Sequence, residues 1–241
     1  MVATEIMKRV DPYAVAIALF TEMHRRHAFM RSGHHFVAFK ALVDSYVTTK
    51  EANAESQLDY AALRNLLGMA SMMSGKDDEA EQEFLRAANA DPNIGYAWIN
   101  LGLLYIAEKR FDEALAMIKN ARDARAVKTA PFLLANALTV RGLALWGKHD
   151  LQGAADSFLL AARVYPQTFF GYYYWAKLME SVGDVDAATL LTERANVNIF
   201  NFEVYPESVL LYFGVRTDKD FSLSHLNLNA VRNVAEVAAQ Q

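Results

Sequence analysis

The sequence predicts an all-α fold in which antiparallel helix pairs stack side by side. The 241 residues include only 11 Gly and 5 Pro, too few breaks for the many short strands and tight turns of a β-sandwich or barrel. The composition, 53% hydrophobic and 22% charged, is typical of a chain that folds around a core. A set of small and large residues also recurs at an interval of 34 residues, which indicates a helical repeat.

The repeated pattern is clearest around Gly102. In that unit it consists of Trp98, Leu101, Gly102, Tyr105, Ala114, Ile118 and Ala121. The preceding unit, 34 residues earlier, carries Leu67, Gly68, Ala80, Phe84, Ala87 and a closing Pro92. Six inserted residues delay the third unit, which carries Gly142, Ala154, Phe158, Ala161 and Pro166. The fourth unit follows 34 residues later with Tyr172, Trp175, Ala176, Met179, Ala188 and Ala195.

This pattern resembles that of the tetratricopeptide-repeat (TPR) proteins, and the resemblance extends over about residues 61–202. It implies a right-handed superhelical solenoid in which the first helices of successive units line a concave channel that receives a peptide or helix. We expect four units at about 61–94, 95–128, 135–168 and 169–202, within a repeat region of 58–202. Because one unit cannot bury its apolar face alone, degenerate repeats or capping helices are expected at both ends.

Small residues at one position of the repeat predict a close approach of the two helices of each unit. The position is occupied by Gly68, Gly102, Gly142 and Ala176. A larger side chain there would force the helices apart. Gly75 and Gly183 lie where the first helix of their units should end.

The six-residue insertion lengthens the first helix of the third unit. Thr129 and Pro131 form a helix-start signal, so we expect this helix to run from Pro131 to Trp146. Arg141 departs from the pattern, because it stands where leucine is expected. Either it pairs with an acidic neighbour, or the third unit packs differently at this point.

The segments that flank the four units have a less regular helical pattern. Residues 1–57 are expected to form a helical hairpin or degenerate repeat with a linker, with helices at roughly 13–31 and 35–47. Residues 203–241 are expected to form capping helices.

Composition and motifs argue against several functional classes. With no Cys, the chain has no disulfide, thiolate zinc site, iron–sulfur cluster or cysteine nucleophile. It contains no phosphate loop, dinucleotide fingerprint, zinc-protease motif or nucleophile elbow, so we expect neither enzymatic activity nor a cofactor. A net charge of −4 does not favour a nucleic-acid partner.

The longest early apolar run, 14–20, is too short for a membrane span, and no signal-peptide cleavage site follows it. We therefore expect a cytoplasmic protein without direct membrane insertion.

Two clusters leave binding alternatives open. The first consists of His24, His27, His34 and His35. It has the ligands of a zinc or nickel site, although interleaved arginines favour a solvated basic end. The second consists of Lys119, Arg122, Arg125 and Lys128, near the end of the second unit's second helix. These charges favour a helix C-terminus and solvate an outer face, and an anionic contact strip for RNA or acidic lipid is the alternative.

The TPR resemblance also implies which residues line the concave channel. The positions carried over by offset are Asn65, Met69, Met72, Tyr96, Ile99, Asn100, Leu103, Asn136, Thr139, Leu143, Trp146, Phe170, Tyr173, Tyr174 and Lys177. This set is mostly apolar and aromatic. TPR domains that clamp a terminal carboxylate use several Lys, Arg and Asn residues. Only Asn100 and Lys177 suggest such a clamp here, so it is disfavoured.

We expect a non-catalytic adaptor or assembly scaffold that binds an apolar or amphipathic peptide or helix of a protein partner in this groove. The alternative is a holding chaperone for an exported substrate. Type III secretion translocator chaperones are similar in their acidic charge, N-terminal helical extension and apolar groove. The groove could instead be filled by a terminal helix of the protein itself. Self-association into a homo-oligomer through an uncapped end is also open.

Overall fold

The computed structural model describes Lys40, Ala41, Val43 and residues 57–204, and the structural statements below concern these residues. Between 57 and 204 the described chain forms nine α-helices and no strand. They are α1 Gln57–Met73, α2 Asp77–Ala90, α3 Tyr96–Ala107, α4 Phe111–Asp123, α5 Arg125–Thr129, α6 Pro131–Gly147, α7 Leu151–Val164, α8 Phe169–Ser181 and α9 Val185–Val204. Lys40, Ala41 and Val43 are helical as well. The rest of the predicted N-terminal hairpin, and the C-terminal capping helices beyond residue 204, lie outside the described residues.

The helices pair in sequence order, and the pairs stack on one another. α1 packs against α2, α3 against α4, α6 against α7, and α8 against α9. Between pairs, α2 contacts α3 and α7 contacts α8, while α6 lies against both helices of the second pair. The first helices of the pairs, α1, α3, α6 and α8, contact one another in that order. The predicted all-α solenoid of antiparallel helix pairs is therefore confirmed.

The turn inside each pair has the same backbone geometry in all four units. A residue with a left-handed φ ends the first helix: Gly75 (72°), Lys109 (62°), His149 (65°) and Gly183 (80°). The next residue donates its N–H to the carbonyl five residues earlier, as Lys76 does to Ser71 at 2.9 Å and Asp184 to Met179 at 3.0 Å. This is the Schellman arrangement, which satisfies carbonyls left over at a helix C-terminus. The two predicted glycines are confirmed, and the fold also imposes this conformation on a lysine and a histidine.

In the first three units, the glycine of the first helix lies against a large side chain of the second helix. A Cβ atom added to Gly68 would lie 2.5 Å from Cδ1 of Phe84, and one added to Gly142 would lie 2.5 Å from Cε1 of Phe158. At Gly102 the corresponding distance to Cδ1 of Ile118 is 2.9 Å. The space is therefore filled by these side chains, whereas the sequence suggested a direct approach of the two helices. All three side chains are buried within the core.

The inserted residues of the third unit change the course of the chain before α6. α6 begins at Pro131, as predicted, and ends at Gly147, one residue later than predicted. α4 ends at Asp123, and Ala124 is extended (ψ 138°) before the short α5. The basic strip Lys119, Arg122, Arg125 and Lys128 is therefore divided between two helices, which corrects the expectation that it lies along one.

Arg141 has a polar partner in the second helix of its own unit. Its guanidinium donates to the hydroxyl of Ser157, whose Oγ in turn donates to the carbonyl of Gly153 at 2.6 Å. The side chain is half-buried on α6 and bridges to α7. The partner of Arg141 is therefore a serine and not the acidic neighbour that was one of the two alternatives.

A hydrogen-bonded tyrosine connects the first unit to the second. The hydroxyl of Tyr105 on α3 donates to Oε1 of Glu81 on α2 at 2.6 Å, and the Arg110 guanidinium lies 4.0 Å above the tyrosine ring. Burial, followed by the hydrogen bond to Glu81, raises the pKa of Tyr105 to about 12. The same hydrogen bond, assisted by Arg110, lowers the pKa of Glu81.

Replacing Gly142 with alanine should lower the free energy of unfolding by about 1–3 kcal/mol, because the added methyl group overlaps the ring of Phe158. Urea denaturation of the full chain followed by circular dichroism measures this difference. Adding Phe158→Leu to Gly142→Ala should restore part of the loss. A stabilised Gly142→Ala variant, as expected from helix propensity alone, would contradict the proposed contact.

Replacing His149 with glycine should raise the free energy of unfolding by about 1 kcal/mol, because glycine adopts the left-handed conformation of this turn without the steric cost of a Cβ atom. Thermal denaturation measures the gain. Gly183→Ala is the matched control, since a Cβ atom there meets nothing within 4 Å and introduces only backbone strain. It should destabilise by a similar amount. If both changes left the midpoint unaltered, the shared turn geometry would be wrong.

The contribution of Tyr105 to stability should be lost as the pH rises through about 12. Its pKa is higher in the folded protein than the ordinary value of 10.0, so its stabilising effect is complete below pH 10 and declines above it. Tyr105→Phe removes this titration. The stability difference between the natural protein and Tyr105→Phe, measured by urea denaturation, should therefore be constant below about pH 10 and shrink between about pH 10 and about pH 12. A difference independent of pH would rule out the shifted pKa.

Candidate functional site

The fifteen residues predicted to line the channel all lie on the first helices of the four pairs. α1 carries three of them, and α3, α6 and α8 carry four each. These helices contact one another in order across the stack, and the TPR resemblance predicts that the fifteen positions share one side of it. We call the surface that they define the inner face.

Most of the inner face is closed to solvent. Nine of its residues are buried, with at most 5% of their surface exposed: Asn65, Met69, Ile99, Asn100, Leu103, Thr139, Leu143, Trp146 and Tyr174. Four are half-buried: Met72, Tyr96, Asn136 and Phe170. Only Tyr173, 37% exposed, and Lys177 are open to solvent, and both lie on α8. The accessible part of the inner face is therefore in the fourth unit, and peptide binding along the whole row stays a prediction.

Two buried asparagines connect the first two units within the inner face. Nδ2 of Asn100 donates to Oδ1 of Asn65 at 2.8 Å, and Nδ2 of Asn65 donates to the sulfur of Met69 at 3.6 Å. Both asparagines are completely buried, where an amide needs hydrogen-bond partners. Asn100 is thus used inside the molecule, which further disfavours a carboxylate clamp.

An ordered aromatic cluster borders the open part of the inner face. Thr168 caps α8 by accepting a hydrogen bond from the Gly171 N–H at 3.2 Å. Along the following turn the rings of Phe169 and Tyr173 are stacked with centroids 5.7 Å apart, and Tyr173 meets Tyr174 edge-on at 5.1 Å. Phe170 meets Phe169 edge-on and is stacked over Tyr174. These contacts hold the exposed Tyr173 in place before any partner arrives.

A lysine lies one helical turn beyond the exposed tyrosine. Lys177 donates to Oε2 of Glu180 at 2.6 Å, and this hydrogen bond raises the pKa of the lysine. Both side chains are exposed, so the pair stays exchangeable with solvent and with other charged groups. The open surface on α8 therefore combines an aromatic anchor with a positive charge that is already hydrogen-bonded.

The sequence did not single out a buried ion pair that holds α1 against α2. Arg64 donates to Oε2 of Glu83 at 2.9 Å, and Arg86 contacts the other carboxylate oxygen at 2.6 Å. Arg64 also lies 5.2 Å from the centre of the Tyr60 ring. The alignment of the repeats could have indicated this ion pair, because Arg64 occupies the position that Trp98 has in the next unit. A charge at that position requires a partner on the second helix.

The other two candidate clusters differ in what the structure describes. The histidine cluster at 24–35 lies outside the described residues. Within 57–204 no group of three or more His, Asp or Glu side chains is arranged to hold a metal ion. All four side chains of the basic strip are exposed, with Lys128 4.0 Å from Asp123. No described helix combines the length and the apolar run that crossing a bilayer requires.

Comparisons with known proteins match the repeat region. A tetratricopeptide repeat family model matches residues 95–122, which span α3 and nearly all of α4. A solved structure, the MamA RS-1 ArsTM double mutant, is similar with a TM-score of 0.52 at 15% sequence identity. The similarity covers 79% of this chain and 96% of that chain, and at this identity it concerns the fold. No curated protein matches the chain. The matched unit and the similar structure, together with the four helix pairs, support a TPR-type fold for this chain.

Proposed function

We propose that this protein is a non-catalytic scaffold that binds a protein partner through the inner face of its fourth unit. Repeats of the matched family present helical surfaces that bind other proteins. The observation that carries the proposal is the exposure of Tyr173 on an ordered aromatic cluster, while nine other inner-face residues are buried. Large aromatic side chains held in one conformation are typical anchors of protein interfaces.

The open surface favours a partner segment of amphipathic character. Tyr173 and the half-buried Phe170 offer apolar area to aliphatic or aromatic side chains. Lys177 offers a positive charge beside them to an acidic group, in competition with Glu180. Because this ion pair is exposed, we expect it to influence orientation more than affinity. A short helix with an apolar face and an acidic edge fits this arrangement.

The fixed aromatic rings also affect the cost of binding. Ordering a flexible side chain at an interface costs about 0.5–1.5 kcal/mol, and a ring already held by neighbours avoids much of that cost. Tyr173 is stacked on Phe169 and touches Tyr174 before a partner binds. The surface is thus prepared for binding without a change in the helix pairs.

Tyr173→Ala should weaken partner binding at least tenfold, a loss of about 1.4 kcal/mol, with little change in the unfolding midpoint. The partner is first identified by affinity purification with the full-length chain, and its dissociation constant is then measured with purified proteins by calorimetry. Leu160→Ala is the matched control, because Leu160 is exposed to a similar extent (44%) on a second helix, α7. Its affinity should remain that of the natural protein.

Tyr96→Ala tests how far the site extends, since Tyr96 is the half-buried aromatic residue that the second unit contributes to the inner face. An affinity lowered by both tyrosine substitutions would place the partner along the whole inner face. An affinity unchanged by Tyr173→Ala would place the site elsewhere and refute the proposal. A partner that is soluble only in the complex would indicate the holding-chaperone alternative.

A further inference from the structure

The four cations of the basic strip form one exposed group outside the inner face. Lys119 and Arg122 lie three residues apart on α4, so they are neighbours on its surface. Arg125 and Lys128 have the same spacing on α5. Three residue steps also separate Arg122 from Arg125, which keeps their Cα atoms within about 11 Å of each other. The strip is therefore a concentrated patch of positive charge, and neither of its helices contributes a position to the inner face.

The short helix α5, which carries two of these cations, is anchored to the start of the second unit. Val127 of α5 is completely buried, and a Cβ atom added to Gly95 would overlap its Cγ2. The N–H of Ala126 donates to the carbonyl oxygen of Asn93 at 3.0 Å. The six-residue insertion therefore does more than connect two units, because these contacts hold α5 in one position while its two cations stay exposed.

Most of the strip lacks a partner within the described part of the molecule. Among the described residues, the side chains of Lys119, Arg122 and Arg125 make no ion pair or hydrogen bond. Lys128 lies 4.0 Å from Asp123. Three exposed lysines elsewhere are each paired with a carboxylate: Lys76 with Glu79, Lys148 with Asp112, and Lys177 with Glu180. The strip thus carries positive charge that the described chain leaves largely unneutralised.

The fold gains little from this concentration of charge. Like charges three or four residues apart on a helix repel each other and lower its stability. A cation in the last turn of a helix is favourable, which accounts for Arg122 on α4 and Lys128 on α5. The helix ends do not account for Lys119 and Arg125. A negatively charged partner would offset the repulsion and use all four cations.

A carboxylate within the strip disfavours a nucleic acid as the partner. Asp123 lies between Arg122 and Arg125 in the chain, and 72% of its side chain is exposed. A polynucleotide carries a phosphate charge at every step and would be repelled at this point. Stacking of bases needs exposed aromatic rings, and no aromatic side chain is exposed among the described residues from 111 to 131. A protein segment with spaced carboxylates can avoid Asp123.

The charge of the surrounding molecule disfavours an acidic bilayer. A bilayer presents a broad negative surface, whose potential acts on every charge that comes near it. Asp112 lies on the same helix with 84% of its side chain exposed, and the whole chain has a net charge of −4. A short segment contacts the strip alone. Because salt screens more distant charges, the local charge decides its binding.

We propose that the basic strip binds an acidic segment of a protein partner, whose carboxylates pair with the lysines and arginines of α4 and α5. Carboxylates repeated every three or four residues on a helix match the spacing of the strip. The contact lies on different helices from Tyr173 and Lys177, so it goes beyond the proposed function and gives the scaffold a second binding surface. Exposed ion pairs are screened by salt, so binding to the strip weakens as the ionic strength rises.

A fluorescein-labelled peptide built from repeated Glu-Ala-Ala units is the probe, and fluorescence anisotropy with the full-length chain measures its affinity. The double variant Arg122→Glu/Arg125→Glu reverses the charge at the centre of the strip. The matched control is Arg163→Glu/Arg194→Glu, because both arginines are exposed, on α7 and α9, and the net charge changes equally. An unchanged unfolding midpoint verifies that each variant is folded.

We expect the strip variant to bind the peptide at least tenfold more weakly than the natural protein, and the control variant less than twofold more weakly. An equal loss in both variants would show a response to net charge alone and would overturn the proposal. Absence of binding to the natural protein would overturn it as well. Tighter binding of an oligouridine RNA or of phosphatidylglycerol vesicles through the same two arginines would overturn the assignment to a protein partner.

Carbodiimide cross-linking of the natural protein to the same peptide locates the contact without any substitution. The reagent joins a lysine amine to a carboxylate, and proteolysis followed by mass spectrometry identifies the lysine. We expect Lys119 to be linked at least tenfold more than Lys76 and Lys148, which are exposed outside the strip. Equal linking at all three would contradict the proposal. Linking at Lys177 alone would contradict it too but would support the acidic edge proposed for the partner of α8, so the two proposals fail separately.

Discussion

The fit between a glycine on the first helix and a large side chain on the second, seen in the first three units, is the constraint on which the other features depend. In three units glycine faces Phe84, Ile118 or Phe158, and an added methyl group would overlap that side chain. Close packing makes such a site intolerant of added volume. The contact fixes the distance and rotation of the two helices in a pair. It thereby determines which residues of α1, α3, α6 and α8 form the inner face.

The turn between paired helices shows how the fold constrains individual residues. The same left-handed conformation occurs at all four turns, although only Gly75 and Gly183 adopt it without cost. At Lys109 and His149 the hydrogen bonds of the Schellman arrangement and the packing of the following helix hold the backbone in place. Local preference and tertiary packing therefore agree in the first and fourth units and oppose each other in the second and third.

Buried polar pairs add specificity to the contacts of α1 with its neighbouring helices. The Arg64–Glu83 ion pair joins α1 to α2, and the Asn65–Asn100 hydrogen bond joins α1 to α3. Such pairs contribute little net stability, but leaving one partner alone in the core is costly. They therefore disfavour any alternative register of α1 against its neighbours. The polar contacts and the packing of Phe84 point to the same arrangement.

The sequence by itself determined the helix pairs, their register, the turns at Gly75 and Gly183, and the start of α6 at Pro131. These features depend on residues close together in the chain: a helix-start signal, a glycine at a turn, and regularly spaced small residues. The resemblance to TPR proteins implied which positions line the inner face.

Only the tertiary structure decided how accessible those positions are. Met69, Ile99 and Leu143 are buried while Tyr173 is exposed, although all four follow the same offset rule. The break at Ala124 and the pairing of Arg141 with Ser157 were likewise not evident from local sequence. The physical reason is that solvent exposure and polar partners depend on segments distant in the chain that pack over a surface. A repeating pattern does not encode which distant segment does so.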